Sequence, residues 1–144
     1  MIKSRVNFGD SRQLLMAKPI LLSIVELGGY PDFKDLYEGL GYEVVVIQQM
    51  RKALRFLKNT QPSVIVAEFN FQSDFRDRTS SLESMLASIQ RYQKTRVIVF
   101  YEKEYKHQFE KLEQRFSFDA ALTFPISESK LENVLEYSTT SDSS

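Results

Sequence analysis

Two carboxylates stand at the ends of apolar runs in this chain, and any strand-end chemistry would start from them. Glu26 follows ILLSIV at residues 20 to 25, and Glu68 lies within VIVAEF at 64 to 69. Hard divalent cations take carboxylate oxygens, so Glu26 and Glu68 are the pair that could share Mg²⁺. Two carboxylates without a further acid beside them make a poor ligand set, and the expectation is a protein without a cofactor. His107 is the only histidine and cysteine is absent, which removes thiolate nucleophiles, disulfides and histidine-rich metal sites. A serine triad would have to use His107, yet no G-x-S-x-G elbow occurs. Gly28-Gly29 follow the first apolar run, where a dinucleotide site carries G-x-G-x-x-G, but the third glycine is missing. The same loop, LGGYPDF, lacks the hydroxyls of a flavin phosphate loop. No catalytic residue is assigned on these grounds, and the expected class is a binding protein, not an enzyme.

Two further features bear on binding. Arg51, Lys52, Arg55 and Lys58 concentrate positive charge on one short amphipathic segment. Such a run is most often a solvated face; its functional reading is electrostatic docking to an acidic partner, which raises on-rate more than affinity. The polar stretch 70 to 80 carries Phe71 and Phe75 among charges, either as anchors for a partner or as a lid folded back on the molecule.

The elements that must position these groups alternate along the chain. Residues 20–25, 44–47, 64–69, 97–101 and 120–124 are short apolar runs that read as strands covered on both faces. Between them lie amphipathic stretches. Phe33, Leu36, Tyr37 and Leu40 form one helical stripe, ended by Gly41; Ala53, Leu54 and Leu57 form the next. Leu82, Met85, Leu86 and Ile89 mark a third helix, opened by Ser80 or Ser81 as a cap. Tyr105, Phe109, Leu112 and Phe116 mark a fourth, and Leu131, Val134 and Leu135 a fifth. Five strands alternating with five helices predict an α/β fold, a doubly wound five-stranded parallel sheet between two helical layers, flavodoxin-like in topology. In such folds ligands gather at the carboxyl ends of the strands. The expected division is an extension over residues 1–18, one domain over 19–138, and a frayed polar tail over 139–144.

The chain has 144 residues, enough to bury a core without staples, and 42% of them are hydrophobic. Nineteen basic and nineteen acidic residues cancel to zero net charge, which argues against a general nucleic-acid or membrane-surface binder. No apolar run approaches the length of a membrane span, and the first residues lack a secretory stretch, so the cytoplasm is the expected compartment.

With the order of elements, the stretches GYEVVVI at 41 to 47, QPSVIVAEF at 61 to 69, TRVIVFYE at 95 to 102 and DAALTFPIS at 119 to 127 carry a resemblance. The region from Pro19 to Tyr137 resembles the response-regulator receiver domain of two-component signalling, the CheY-like family. The resemblance implies an acidic pair at the end of the first strand, which holds Mg²⁺, and an aspartate phosphoacceptor ending the third. It also implies a serine or threonine ending the fourth strand and a lysine before proline ending the fifth. Those groups offset the charge on the phosphoryl oxygens. Here the acceptor position falls on Glu68, the hydroxyl position on Tyr101 and the lysine position on Phe124, before Pro125; of the acidic pair only Glu26 is left nearby. Glu68 is either a strand-end carboxylate without a role or the source of a fixed local charge; Tyr101 and Phe124 are expected to close the old pocket with aromatic packing.

The resemblance therefore carries over the fold and a signalling context without phosphotransfer: a degenerate receiver acting through a protein partner. Two alternatives stand beside it. One is an active receiver that accepts phosphate at another acid such as Asp74, and the other is a flavodoxin-like protein with a small ligand at the strand ends. Receivers commonly use the face of the fourth helix, fifth strand and fifth helix for contacts. The resemblance thus makes Tyr105, Phe109 and Tyr137 candidates for a partner or homodimer surface, although aromatics at such spacing are more often core. It also implies a cis peptide between Phe124 and Pro125.

Overall fold

The protein is described from a computed structural model, covering residues 18–70 and 81–143. Phe71, Asp74, Phe75, the extension before Lys18 and the side chain of Tyr137 lie outside the described residues.

Five strands form the sheet: β1 (Ile20–Ile24), β2 (Glu43–Ile47), β3 (Val64–Glu68), β4 (Arg96–Tyr101) and β5 (Ala120–Thr123). All neighbours run parallel, in the order β2-β1-β3-β4-β5. Helices α1 (Lys34–Gly39), α2 (Met50–Asn59), α3 (Ser81–Ser88) and α4 (Lys106–Glu113) make the crossovers, α5 (Glu128–Ser143) follows β5, and a 3₁₀ turn at Lys103–Tyr105 leads into α4. The doubly wound α/β fold expected from the alternating pattern is the one observed.

Strand residues alternate between faces, and here the alternation sorts the core into two halves. Leu22, Ile24, Ile65, Ala67, Val97 and Val99 face one side, where α2, α3 and α4 supply Ala53, Leu57, Met85, Leu86, Phe109 and Leu112. Leu21, Val64, Val66, Ile98 and Phe100 face the other, covered by Tyr37 of α1 and by Leu131 and Leu135 of α5. The central strands are buried on both faces, as their uninterrupted apolar runs require.

Several local expectations are corrected. β2 reads as buried from VVVI but is an edge strand, with Val46 38% exposed, because only β1 pairs with it. α1 starts at Lys34, one residue after Phe33 of the predicted stripe. Asp32 Oδ1 accepts the Lys34 backbone N–H at 3.0 Å, and Phe33 precedes the helix with φ 56, its ring buried. α5 continues to Ser143 through the polar residues expected to fray, since elongating a nucleated helix adds one hydrogen bond per residue fixed. Among the described residues no helix is long and apolar enough to cross a membrane.

Candidate functional site at the strand ends

The carboxyl ends of β1, β3 and β5 frame an open cleft of about 890 Å³. Its lining includes Leu27 to Tyr30 from the loop after β1, Glu68 to Asn70 at the end of β3, the 3₁₀ turn, and Phe124-Pro125 after β5. The Phe124-Pro125 bond is cis.

Glu68 is the charged residue at the base of this cleft and is only 2% exposed. Its strand sends residue 68 to the same face as Val64 and Val66, toward α1 and α5. Both carboxylate oxygens are engaged. Oε1 accepts the Leu27 backbone N–H at 2.9 Å, and Oε2 accepts the Tyr30 hydroxyl. Hydrogen bonding of this kind is what lets a carboxylate stay buried, since an unpaired buried charge is strongly disfavoured. Among the described residues Glu68 is in no ion pair; Lys103 lines the cleft from the exposed 3₁₀ turn, between Glu102 and Glu104.

Tyr30 reaches Glu68 because the chain reverses at Gly28 (φ 73) and Gly29 (φ 82), a left-handed pair that side-chain-bearing residues rarely adopt. The ring then enters an aromatic cluster. It lies 5.0 Å from Phe124, 5.8 Å from Phe100 edge-on, and 6.3 Å from Phe33, between centroids. Phe124 also meets Phe100 edge-on at 5.9 Å. Burial first, and the Glu68 carboxylate second, push the Tyr30 phenol well above its ordinary range, so it stays a neutral donor.

Glu26 is half-buried beside this arrangement. Burial, and next the charge of Glu68, raise its carboxyl above the usual 4.5; the Met50 backbone N–H and the Asn70 amide, at 3.4 Å, pull the other way. The pair does not fit Mg²⁺. Glu68 already spends both oxygens on N–H and O–H donors, Glu26 faces the Asn70 amide, and the side chains of the preceding residues Ile24 and Val25 carry no oxygen. Among the described residues no cluster of three acidic or histidine ligands forms.

Tyr101 does not close the cleft. Neighbouring strand residues point to opposite faces, so Phe100 turns toward the Glu68 side and Tyr101 away from it. Tyr101 stacks on Phe109 at 4.3 Å, and Phe109 stacks in turn on Phe118 at 5.4 Å and meets Phe69 edge-on. Phe109 is 1% exposed, so it belongs to the core and not to a partner surface. Tyr105 is half-buried and lines the cleft. Arg51, Lys52, Arg55 and Lys58 are all exposed, as is His107. The residue that sequence reasoning missed is Tyr30. Its signal was present, an aromatic directly after two glycines at the end of the first strand, but its partner 38 residues away shows only in the fold.

No protein-family model and no curated protein matches the sequence. Solved structures do. A CheY-like response regulator receiver domain protein from Methanospirillum hungatei JF-1 superposes with a TM-score of 0.70 at 14% identity, over 88% of this chain and 98% of that one. The fold is that of a receiver domain. Chemotaxis protein CheY4 of Vibrio cholerae gives 0.65 at 17% identity over 84% of this chain and 98% of its own. A third similar structure represents a family of redox sensors in the streptococci that evolved from two-component response regulators, at 0.69 and 13% identity, over 85% of this chain and 52% of that one. In the receiver frame Glu68 and Tyr101 end β3 and β4, and Phe124 directly follows β5. Glu68 is in register with Phe100 and Tyr101 with Thr123, and the strand ends are tied by Phe69 N–H to Phe100 C=O and Phe124 N–H to Tyr101 C=O.

Proposed function

We propose that this chain is a degenerate receiver, a cytoplasmic signalling module that acts through protein–protein contact without phosphotransfer and without catalysis. The observation that carries the reading is the state of Glu68. A phosphoacceptor needs a free carboxylate oxygen facing solvent, with cations to offset the charge on the incoming phosphoryl group. Glu68 is buried, both of its oxygens are held by neutral donors, and Tyr30 packs against Phe124 in the same cleft lining. The streptococcal redox sensors, which evolved from response regulators, lend support as a case of the same fold put to another use.

The test is amide NMR of the full chain with Mg²⁺, then with Mg²⁺ and beryllofluoride, joined to intact-mass analysis after incubation with acetyl phosphate. The expected result is unmoved amides at Glu26, Tyr30 and Glu68 and no phosphoryl adduct. Stoichiometric shifts at those residues, or an adduct, would overturn the reading.

A further inference from the structure

Helix α2 places Arg51, Lys52 and Arg55 where the fold gains nothing from them, while Lys58 alone stands in the last turn, where the helix dipole favours a cation. Successive residues turn by about 100°, so Arg51, Lys52, Arg55 and Lys58 share roughly one third of the helix circumference, over about 10 Å of its length. All four are exposed, while Met50, Ala53 and Leu57 on the opposite arc are buried. The helix holds no acidic residue, and among the described residues none of the four cations is in an ion pair.

Two separate placements are unfavourable. Arg51 and Lys52 stand in the first turn, where the helix dipole disfavours positive charge, and no acid stands there. Arg51–Arg55, Lys52–Arg55 and Arg55–Lys58 are like-charge pairs at the helical spacings where side chains meet. The strip is also held firmly. Tyr92 donates its hydroxyl to the Leu57 carbonyl at 2.5 Å, and Arg91 reaches the same oxygen at 3.4 Å while lying over the Tyr92 ring. Exposed Arg91 thereby adds a cation at the last turn of the helix.

We propose that this face, Arg51, Lys52, Arg55, Lys58 and Arg91, is the docking surface for an acidic segment of a partner protein; this deepens the reading of the chain as an interaction module. Charge complementarity selects the occupant. Nucleic acid fits less well, because five cations on one helix width sit in a chain of zero net charge, whose remaining surface is net acidic and repels a polyanion. A membrane surface fits less well too, since the strip presents no exposed apolar side chain to insert.

The probe is a labelled ten-residue Asp/Glu-rich peptide, titrated into the full chain by fluorescence anisotropy and amide NMR. A 20-base-pair DNA duplex and phosphatidylserine vesicles serve as parallel arms. The expected shifts are confined to residues 50–59 and 91, with affinity falling as salt rises. The double variant Arg55→Glu/Lys58→Glu weakens binding by about tenfold or more. The charge-matched pair Lys106→Glu/Lys111→Glu, exposed on α4, weakens it by less than about twofold. Equal loss in both pairs, shifts elsewhere, absence of peptide binding, or tighter binding of duplex or vesicle at the same residues would each overturn the proposal. The beryllofluoride experiment separates the two readings: a reactive strand end refutes the degenerate receiver and leaves the peptide result standing. A silent strand end with no peptide binding removes only this face.

Discussion

The strand-end cleft and the outer face of α2 treat charge in opposite ways. At the cleft a carboxylate is buried, met by neutral donors and walled by aromatic rings. On α2 four cations are left in solvent, close to one another and without an acid in the helix. The first arrangement costs a great deal to disturb and offers little to a ligand. The second costs little to disturb and offers an open field to an anion. In a receiver fold the strand ends are where chemistry is expected; the proposed docking face would move recognition to the helix surface and leave the strand ends a structural task.

The contrast can be broken most forcefully at Phe100, which is 1% exposed and touches Tyr30, Phe33 and Phe124. Phe100→Ala should lower unfolding stability by about 3–5 kcal/mol, whereas Arg55→Ala should stay within about 0.5 kcal/mol. Urea titration reads both, and similar costs would erase the distinction between the regions. A smaller effect is expected from Tyr30→Phe, which keeps the ring and deletes only the donor to Glu68. It should cost about 1.5–3 kcal/mol, because a charged acceptor is left one bond short. A loss under about 0.5 kcal/mol would mean that the ring, and not its hydroxyl, holds the loop.

The smallest effect sharpens the picture through pH. Burial and Glu68 raise Glu26 above its unfolded value of 4.5, so the folded state holds this proton more tightly. The unfavourable contribution is therefore absent at low pH and grows as pH rises from about 4.5 through the folded value. Glu26→Gln should raise the melting temperature at pH 7 and lose that advantage as pH falls toward 4. An advantage that persists at pH 4 would assign the gain to something other than charge.

The fold was legible because parallel strands buried on both faces leave uninterrupted apolar runs, and ILLSIV, VIVAEF and VIVFY are of that kind. VVVI has the same appearance and yet lies at the sheet edge, since strand order depends on crossovers that a run of valines does not encode. At the site, family resemblance placed Glu68, Tyr101 and Phe124 at strand ends, but which face each addresses is set by the alternation of each strand. That alternation sends Tyr101 to Phe109 and gives Tyr30 the place beside Glu68. Loop residues such as Tyr30 have no period to betray them. Phe109 was weighed as surface or core, and its spacing with Leu112 fits the core in which it lies.

The glycine pair ahead of Tyr30 has an entropic side. Gly28 and Gly29 lose more conformational freedom on folding than any other pair of residues would, and the space near Gly29 offers a side chain no contact to make up for it. The ordering of that loop rests on Glu68 and on Tyr30: the Leu27 N–H and the Tyr30 hydroxyl on the carboxylate, and one ring among Phe33, Phe100 and Phe124. The buried Glu68 carboxylate thus has work as the fixed end of a tether, and its removal would be felt first as disorder at the mouth of the cleft.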